Sequence, residues 1–190
     1  MPKIAIIGCS GSGKSTLAAS LSRALNLPWL ELDALNHQPS WSSMEPTLFR
    51  SEVAAFIRLN QSWIIDGNYQ TVADLILSNC SDLIWIDLPL HRVLWQLGIR
   101  SFRRVVLRTE LWNGNRESLW SHLSRDPQES VLRWALKTHH SFPTRYEQLR
   151  GDPAFNHIHF RRLTKSSSYD ELVDSLSRGR SSSGARLEAR

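Results

Sequence analysis

Cysteine is scarce in these 190 residues, and what little there is excludes two classes of site. Cys9 and Cys80 stand alone, with no C-x-x-C spacing, so neither a disulfide framework nor a cysteine-bound zinc is expected. Long apolar runs are missing as well. Ile4 to Ile7 is far too short to span a bilayer and no later run approaches the length, so no membrane partner is expected. The N-terminus lacks the apolar core and cleavage site of a secretory signal, because Gly8 opens a glycine-rich loop at once; a cytoplasmic location is the expectation. No internal repeat is visible, and no helix-turn-helix or other nucleic-acid reading motif. The net charge of +5 is weak support for a DNA partner, since residues 178–190 alone carry four arginines against the single Glu188.

With 41% hydrophobic and 22% charged residues, the chain has both the core and the surface of one globular domain. Residues 1–177 read as that domain, and the apolar-poor stretch 178–190 as a disordered basic tail.

The most specific feature is Gly8-Cys9-Ser10-Gly11-Ser12-Gly13-Lys14-Ser15-Thr16, which fits the phosphate-loop pattern Gly-x-x-x-x-Gly-Lys-Ser/Thr at every fixed position. An apolar strand, Lys3 to Ile7, precedes it and a leucine-periodic helix, Leu17 to Leu25, follows, as the motif requires. Gly8, Gly11 and Gly13 let successive backbone N–H groups turn inward without Cβ clashes, so Ser10 to Thr16 can cradle phosphate oxygens at a helix N-terminus. Lys14 is expected along the β- and γ-phosphates of a nucleoside triphosphate, and the Ser15 hydroxyl on Mg²⁺; Thr16 serves more to start the helix.

Downstream, Leu27 to Asp33 reads as a second strand with acidic residues at its end, and Ser62 to Tyr69 as a third, broken by Asp66-Gly67. Asp82 to Pro89 is a fourth and Asn156 to Leu163 a fifth, with helices expected over Thr47–Leu59, Thr71–Leu77, Leu90–Arg108, from about Gln128 towards Leu149 with a possible break at Pro143, and Ser168–Leu176. Alternating strands and helices point to a parallel sheet covered on both faces.

In this order the motifs resemble those of the P-loop nucleoside and nucleotide kinases, adenylate-kinase-like proteins above all, and within them the bacterial group labelled DNA topology modulation proteins. The resemblance rests on Gly8 to Thr16, Leu30-Glu31-Leu32-Asp33, Trp63 to Tyr69, Leu83 to Pro89 and the arginine-rich segment that follows. It implies a three-layer α/β P-loop fold with five parallel strands and a small helical lid at about residues 100–127. It also implies ATP and Mg²⁺, with phosphoryl transfer to a small-molecule or nucleotide acceptor. By this likeness Asp66 helps to hold Mg²⁺ or its waters; a plain turn aspartate before glycine is the alternative. Asp33 faces the acceptor, orienting a hydroxyl or taking its proton, with a capping or loop role as the alternative, and Glu31 assists from the same strand face. Asn68 and Tyr69 line the acceptor pocket, and Asp87 is a second metal carboxylate or, preferably, structural.

Arg100 and Arg104 resemble the pair that opens the lid, Arg116 a lid-tip residue, and Arg125 and Arg133 the returning lid arginines; together they counter charge on the transferred group. A solvated basic helix face is the plain alternative. The loop Gly67-Asn68-Tyr69-Gln70 departs from the adenylate kinase Gly-Phe-Pro-Arg pattern and drops an arginine expected to meet a nucleoside monophosphate. Trp112 and Trp120 are stacking candidates for a base or packing anchors. The group label also allows a simple ATPase or a nucleotide-dependent regulatory protein acting on DNA topology.

Overall fold

The computed structural model describes residues 1–107, 110–115, 131–166 and 168–184. Five strands, β1 (Lys3–Gly8), β2 (Trp29–Glu31), β3 (Trp63–Asp66), β4 (Asp82–Ile86) and β5 (His159–Leu163), form one all-parallel sheet in the order β2-β3-β1-β4-β5. Seven helices connect and flank them among the described residues: α1 (Lys14–Leu25), α2 (Leu32–Asn36), α3 (Pro46–Leu59), α4 (Gln70–Asn79), α5 (Leu90–Val106), α6 (Val131–Gly151) and α7 (Ser168–Gly184).

Central β1 shows why the strands read as apolar runs. Its side chains alternate: Ile4 and Ile6 pack with Leu17 and Leu21 of α1, Val93 of α5 and Leu172 of α7, while Ala5 packs with Val53 of α3 and Val72 of α4. Each face of the sheet is thus sealed by helices, and neither can be polar. The strand order turns outward on either side of β1, and its C-terminal end, with that of β3, is the crevice where α/β sheets place ligands. No helix among the described residues is long and apolar enough to cross a membrane.

Three local expectations are revised. β2 stops at Glu31, and Leu32 and Asp33 already belong to α2. The cause is Leu32, fully buried against Gly67: a Cβ at Gly67 would lie 2.7 Å from the Leu32 Cβ, and Gly67 has φ +137°, so the chain must turn inward there. Asp33 consequently does not share a strand face with Glu31. Helix α6 passes through Pro143 unbroken, its next turns held by buried Phe142 and Tyr146. Helix α7 continues beyond Leu176, its expected end, to Gly184, because a helix already anchored by Tyr169 and Leu172 extends at little nucleation cost. Residues 185–190 lie outside the described part.

Candidate functional site

The loop between β1 and α1 is shaped by what lies behind it. A Cβ at Gly8 would come within 2.8 Å of the Ile86 carbonyl oxygen, and one at Gly11 within 3.0 Å of the Leu97 Cβ. Gly11 and Gly13 have φ of +81° and +93°, the left-handed region that leaves backbone N–H groups pointing into the loop. Tyr169 of α7 braces the loop from the other end of the chain, its hydroxyl donating to the Ser12 carbonyl oxygen at 2.8 Å. Lys14 Nζ donates to the carbonyl oxygens of Gly8 (3.0 Å) and Cys9 (3.2 Å), so the ammonium is held across the loop mouth. Burial pushes the Cys9 thiol up, consistent with a small inert filler.

Ser10, Gly11, Ser12, Gly13, Lys14, Ser15 and Thr16 all line a cleft of about 500 Å³, together with Glu31, Asp33, Gln96, Arg100, Arg104, Trp112 and Tyr169. Gly8 sits beneath it. There Asn68 clasps the Gly8 peptide, its Oδ1 accepting from Gly8 N at 3.2 Å and its Nδ2 donating to the Gly8 oxygen. Asn68 is thus a tether between β1 and β3, where an acceptor-lining role was expected.

At the start of α1 the Ser15 hydroxyl lies 2.8 Å from Glu31 Oε1 and 2.9 Å from Asp66 Oδ2. One hydroxyl carries one hydrogen, so it can satisfy only one of the two carboxylates; the second contact calls for another proton or a cation. Asp66, 2% exposed, also accepts from Trp29 Nε1 at 2.8 Å. Burial outweighs both hydrogen bonds and pushes the Asp66 carboxyl up to about 6. A hard-oxygen set of one hydroxyl and two carboxylates beside a phosphate cradle suits Mg²⁺, which takes one or two protein carboxylates and completes its shell with phosphates and waters. No group of three or more His, Cys, Asp or Glu suited to a metal cage occurs among the described residues, as that mode of binding requires none.

The acidic part of the cleft lining, Glu31 and Asp33, is held by distant segments. Tyr69 donates its hydroxyl to Asp33 Oδ1 at 2.9 Å, and burial with the Asp33 charge beside it raises the phenol so that it stays protonated as a donor. Trp112 Nε1 donates to Glu31 Oε2 at 3.0 Å, while its ring stacks on His37 at 5.7 Å and 16°. Asn115 fastens this segment, accepting from Trp41 N and donating to the Gln38 oxygen, each at 2.9 Å. Asn113 Nδ2 adds a bond to the His37 oxygen.

Arg100 and Arg104 of α5 line the cleft. Arg108, Arg116, Trp120 and Arg125 lie outside the described residues, as does the side chain of Arg133. Asp87 is paired with Arg162, whose Nε donates to it at 2.8 Å, in keeping with a structural role. Sequence reasoning missed Tyr169 and Trp29 altogether, and it placed Glu31 beside Asp33 when its partner is Ser15. Nothing in the spacing of these residues signals their meeting.

Neither the models of known protein families nor the curated proteins yield a match to this chain. Solved structures do. A sugar kinase from Janibacter sp. HTCC2649 superposes with a TM-score of 0.51 at 14% identity, covering 93% of this chain and 92% of its own. A shikimate kinase from Bacteroides thetaiotaomicron gives 0.51 at 12% over 93% and 96%, and one from Acinetobacter baumannii, in complex with shikimate, 0.51 at 16% over 96% and 94%. The chain therefore has the fold of the P-loop kinases.

Proposed function

We propose that this chain is a Mg²⁺-dependent phosphotransferase that moves the γ-phosphate of ATP to a hydroxyl of a small molecule. One observation carries the reading: the phosphate loop, the Asp33 carboxylate, Arg100 and Arg104 all line a single cleft. Backbone N–H groups of the loop and of the first turn of α1 bind the phosphates, and Lys14 leaves its two carbonyl partners to lie along the β- and γ-phosphates. Ser15 and Asp66 would hold Mg²⁺, with Glu31 able to reach it or one of its waters; the ion supplies neutralisation of phosphate charge. Asp33, oriented by Tyr69, accepts the proton of the acceptor hydroxyl as that oxygen bonds to phosphorus and the bond to the ADP oxygen breaks. Arg100 and Arg104 counter the charge spread over the transferred group, and Arg116 is the candidate to join them from the lid tip.

A small hydroxylated acceptor is supported by two points. Among the solved neighbours are a shikimate kinase seen with shikimate and a sugar kinase. The segment after β3 also carries Gln70 at the position where the Gly-Phe-Pro-Arg pattern has the arginine that meets a nucleoside monophosphate. The test is a screen of sugars, other hydroxylated metabolites, nucleosides and nucleotides for ATP-dependent phosphate incorporation. A phosphorylated acceptor in the presence of the intact chain, and none with Lys14→Ala, is the expected outcome. Release of free phosphate alone across the whole screen would make the chain an ATPase instead.

A further inference from the structure

Among the described residues, helix α5 is buried along one side only. Val93 and Leu97 are fully buried and Ser101 nearly so, whereas Trp95, Ile99, Phe102 and Val106 are 71%, 40%, 65% and 59% exposed. These four are separated by four, three and four residues, which keeps them on one line along the helix, opposite the buried side. Exposed Arg92 and Arg103 fall together along one edge of the line. Beyond that edge a groove of about 460 Å³ runs between the row Trp95, Ile99, Arg103 and the row Gln96, Arg100, Arg104. An unbroken line of large apolar side chains beside a groove marks a binding face more than a solvated one.

We infer that α5 seats an amphipathic helix of another protein, whose apolar seam covers Trp95, Ile99, Phe102 and Val106 and whose acidic flank meets Arg92 and Arg103. The four-three-four spacing is that of coiled-coil seam positions, a narrow line that a second helix covers with knobs and holes. A helix that lies in a lipid surface carries a broader apolar face. A second copy of this chain fits poorly. A two-fold axis that pairs α5 antiparallel with itself sets the Arg92 and Arg103 edge of one copy along the same edge of the other, so like charges face each other. The basic edge complements glutamates and aspartates instead.

The probe is a fluorescently labelled peptide of about 20 residues, long enough to be helical, with leucine at the seam positions and glutamate on both flanks, compared with the same peptide carrying lysine flanks. Anisotropy titrations use the full chain, Phe102→Glu, and Arg92→Glu combined with Arg103→Glu; all substitutions fall at exposed positions, and circular dichroism checks their folding. The glutamate peptide is expected to bind the full chain about tenfold more tightly than the lysine peptide, a gap of about 1.4 kcal/mol. Phe102→Glu should abolish binding, and the double variant should invert the preference. Equal binding of both peptides, no binding of either, or binding indifferent to Phe102→Glu overturns the inference. So does a dimer, seen by sedimentation, that Phe102→Glu dissociates, or binding to phosphatidylcholine–phosphatidylserine vesicles that the same variant loses.

Discussion

The cleft lining has two parts, a phosphate end and an Asp33 end, and they are made in different ways. At the phosphate end, one run from Gly8 to Thr16 contributes main-chain groups shaped by three glycines and closed by its own lysine. Elsewhere in the lining, side chains from separate stretches meet: Asp33 with Tyr69, thirty-six positions apart, and Glu31, which also reaches Ser15, with Trp112, eighty-one apart. The first end depends on backbone conformation and tolerates little change; the second depends on side-chain identity and long-range packing. The proposed function assigns the nucleotide to the first and selection of the acceptor to the second.

The largest break is expected at the phosphate end. Lys14→Ala should lower phosphoryl transfer by about a thousandfold, since it removes a cation aimed at charge that grows in the transition state, and an unchanged circular dichroism spectrum would show that the fold survives. Gly67→Ala tests the seam between the two ends. Its φ of +137° and the 2.7 Å approach to Leu32 Cβ should cost about 3 kcal/mol, read as a lower midpoint in urea unfolding at an unchanged slope.

That glycine also shows where the sequence was readable. The Gly67 punctuation, the apolar strands β1, β3 and β4 and the phosphate loop are all written in neighbouring residues, because local periodicity and turn chemistry determine them. The inward turn of Leu32, which moves Asp33 from a strand to α2, depends on a pocket that forms only when β3 lies beside β2. Likewise Trp29 reaches Asp66 across thirty-seven positions and Tyr169 reaches Ser12 across one hundred and fifty-seven, pairings that no local pattern encodes. Asn68 was legible as a site residue, yet its amide serves the Gly8 peptide.

Asp66, bonded to Ser15 at the phosphate end, sharpens the contrast through pH. Its carboxyl is raised from 3.8 to about 6, so the folded chain holds that proton more tightly than the unfolded chain does. This group's contribution is therefore most favourable below pH 4, declines as pH rises towards 6, and stays at its minimum above, a loss of at most about 3 kcal/mol. Asp66→Asn escapes that loss and should unfold at a higher temperature at pH 8 without magnesium, while weakening the magnesium dependence of nucleotide binding. A lower melting temperature under those conditions would show that its bonds to Ser15 and Trp29 outweigh the burial of charge.

The smallest effect is expected at the acceptor end. Tyr69→Phe removes the hydroxyl that orients Asp33 and should slow transfer about tenfold, near the 1.4 kcal/mol of one hydrogen bond to a charged group, with ATP affinity unchanged. An equal loss in ATP binding would merge the two ends into one.

Calorimetric titration of ATP into the intact chain, with and without Mg²⁺ and alongside Asp33→Asn and Lys14→Ala, tests the division most directly. Saturable, magnesium-strengthened binding that Asp33→Asn retains and Lys14→Ala weakens is the predicted result. Absence of binding to the intact chain, or binding indifferent to Lys14, would contradict a phosphate end built on residues 8–16.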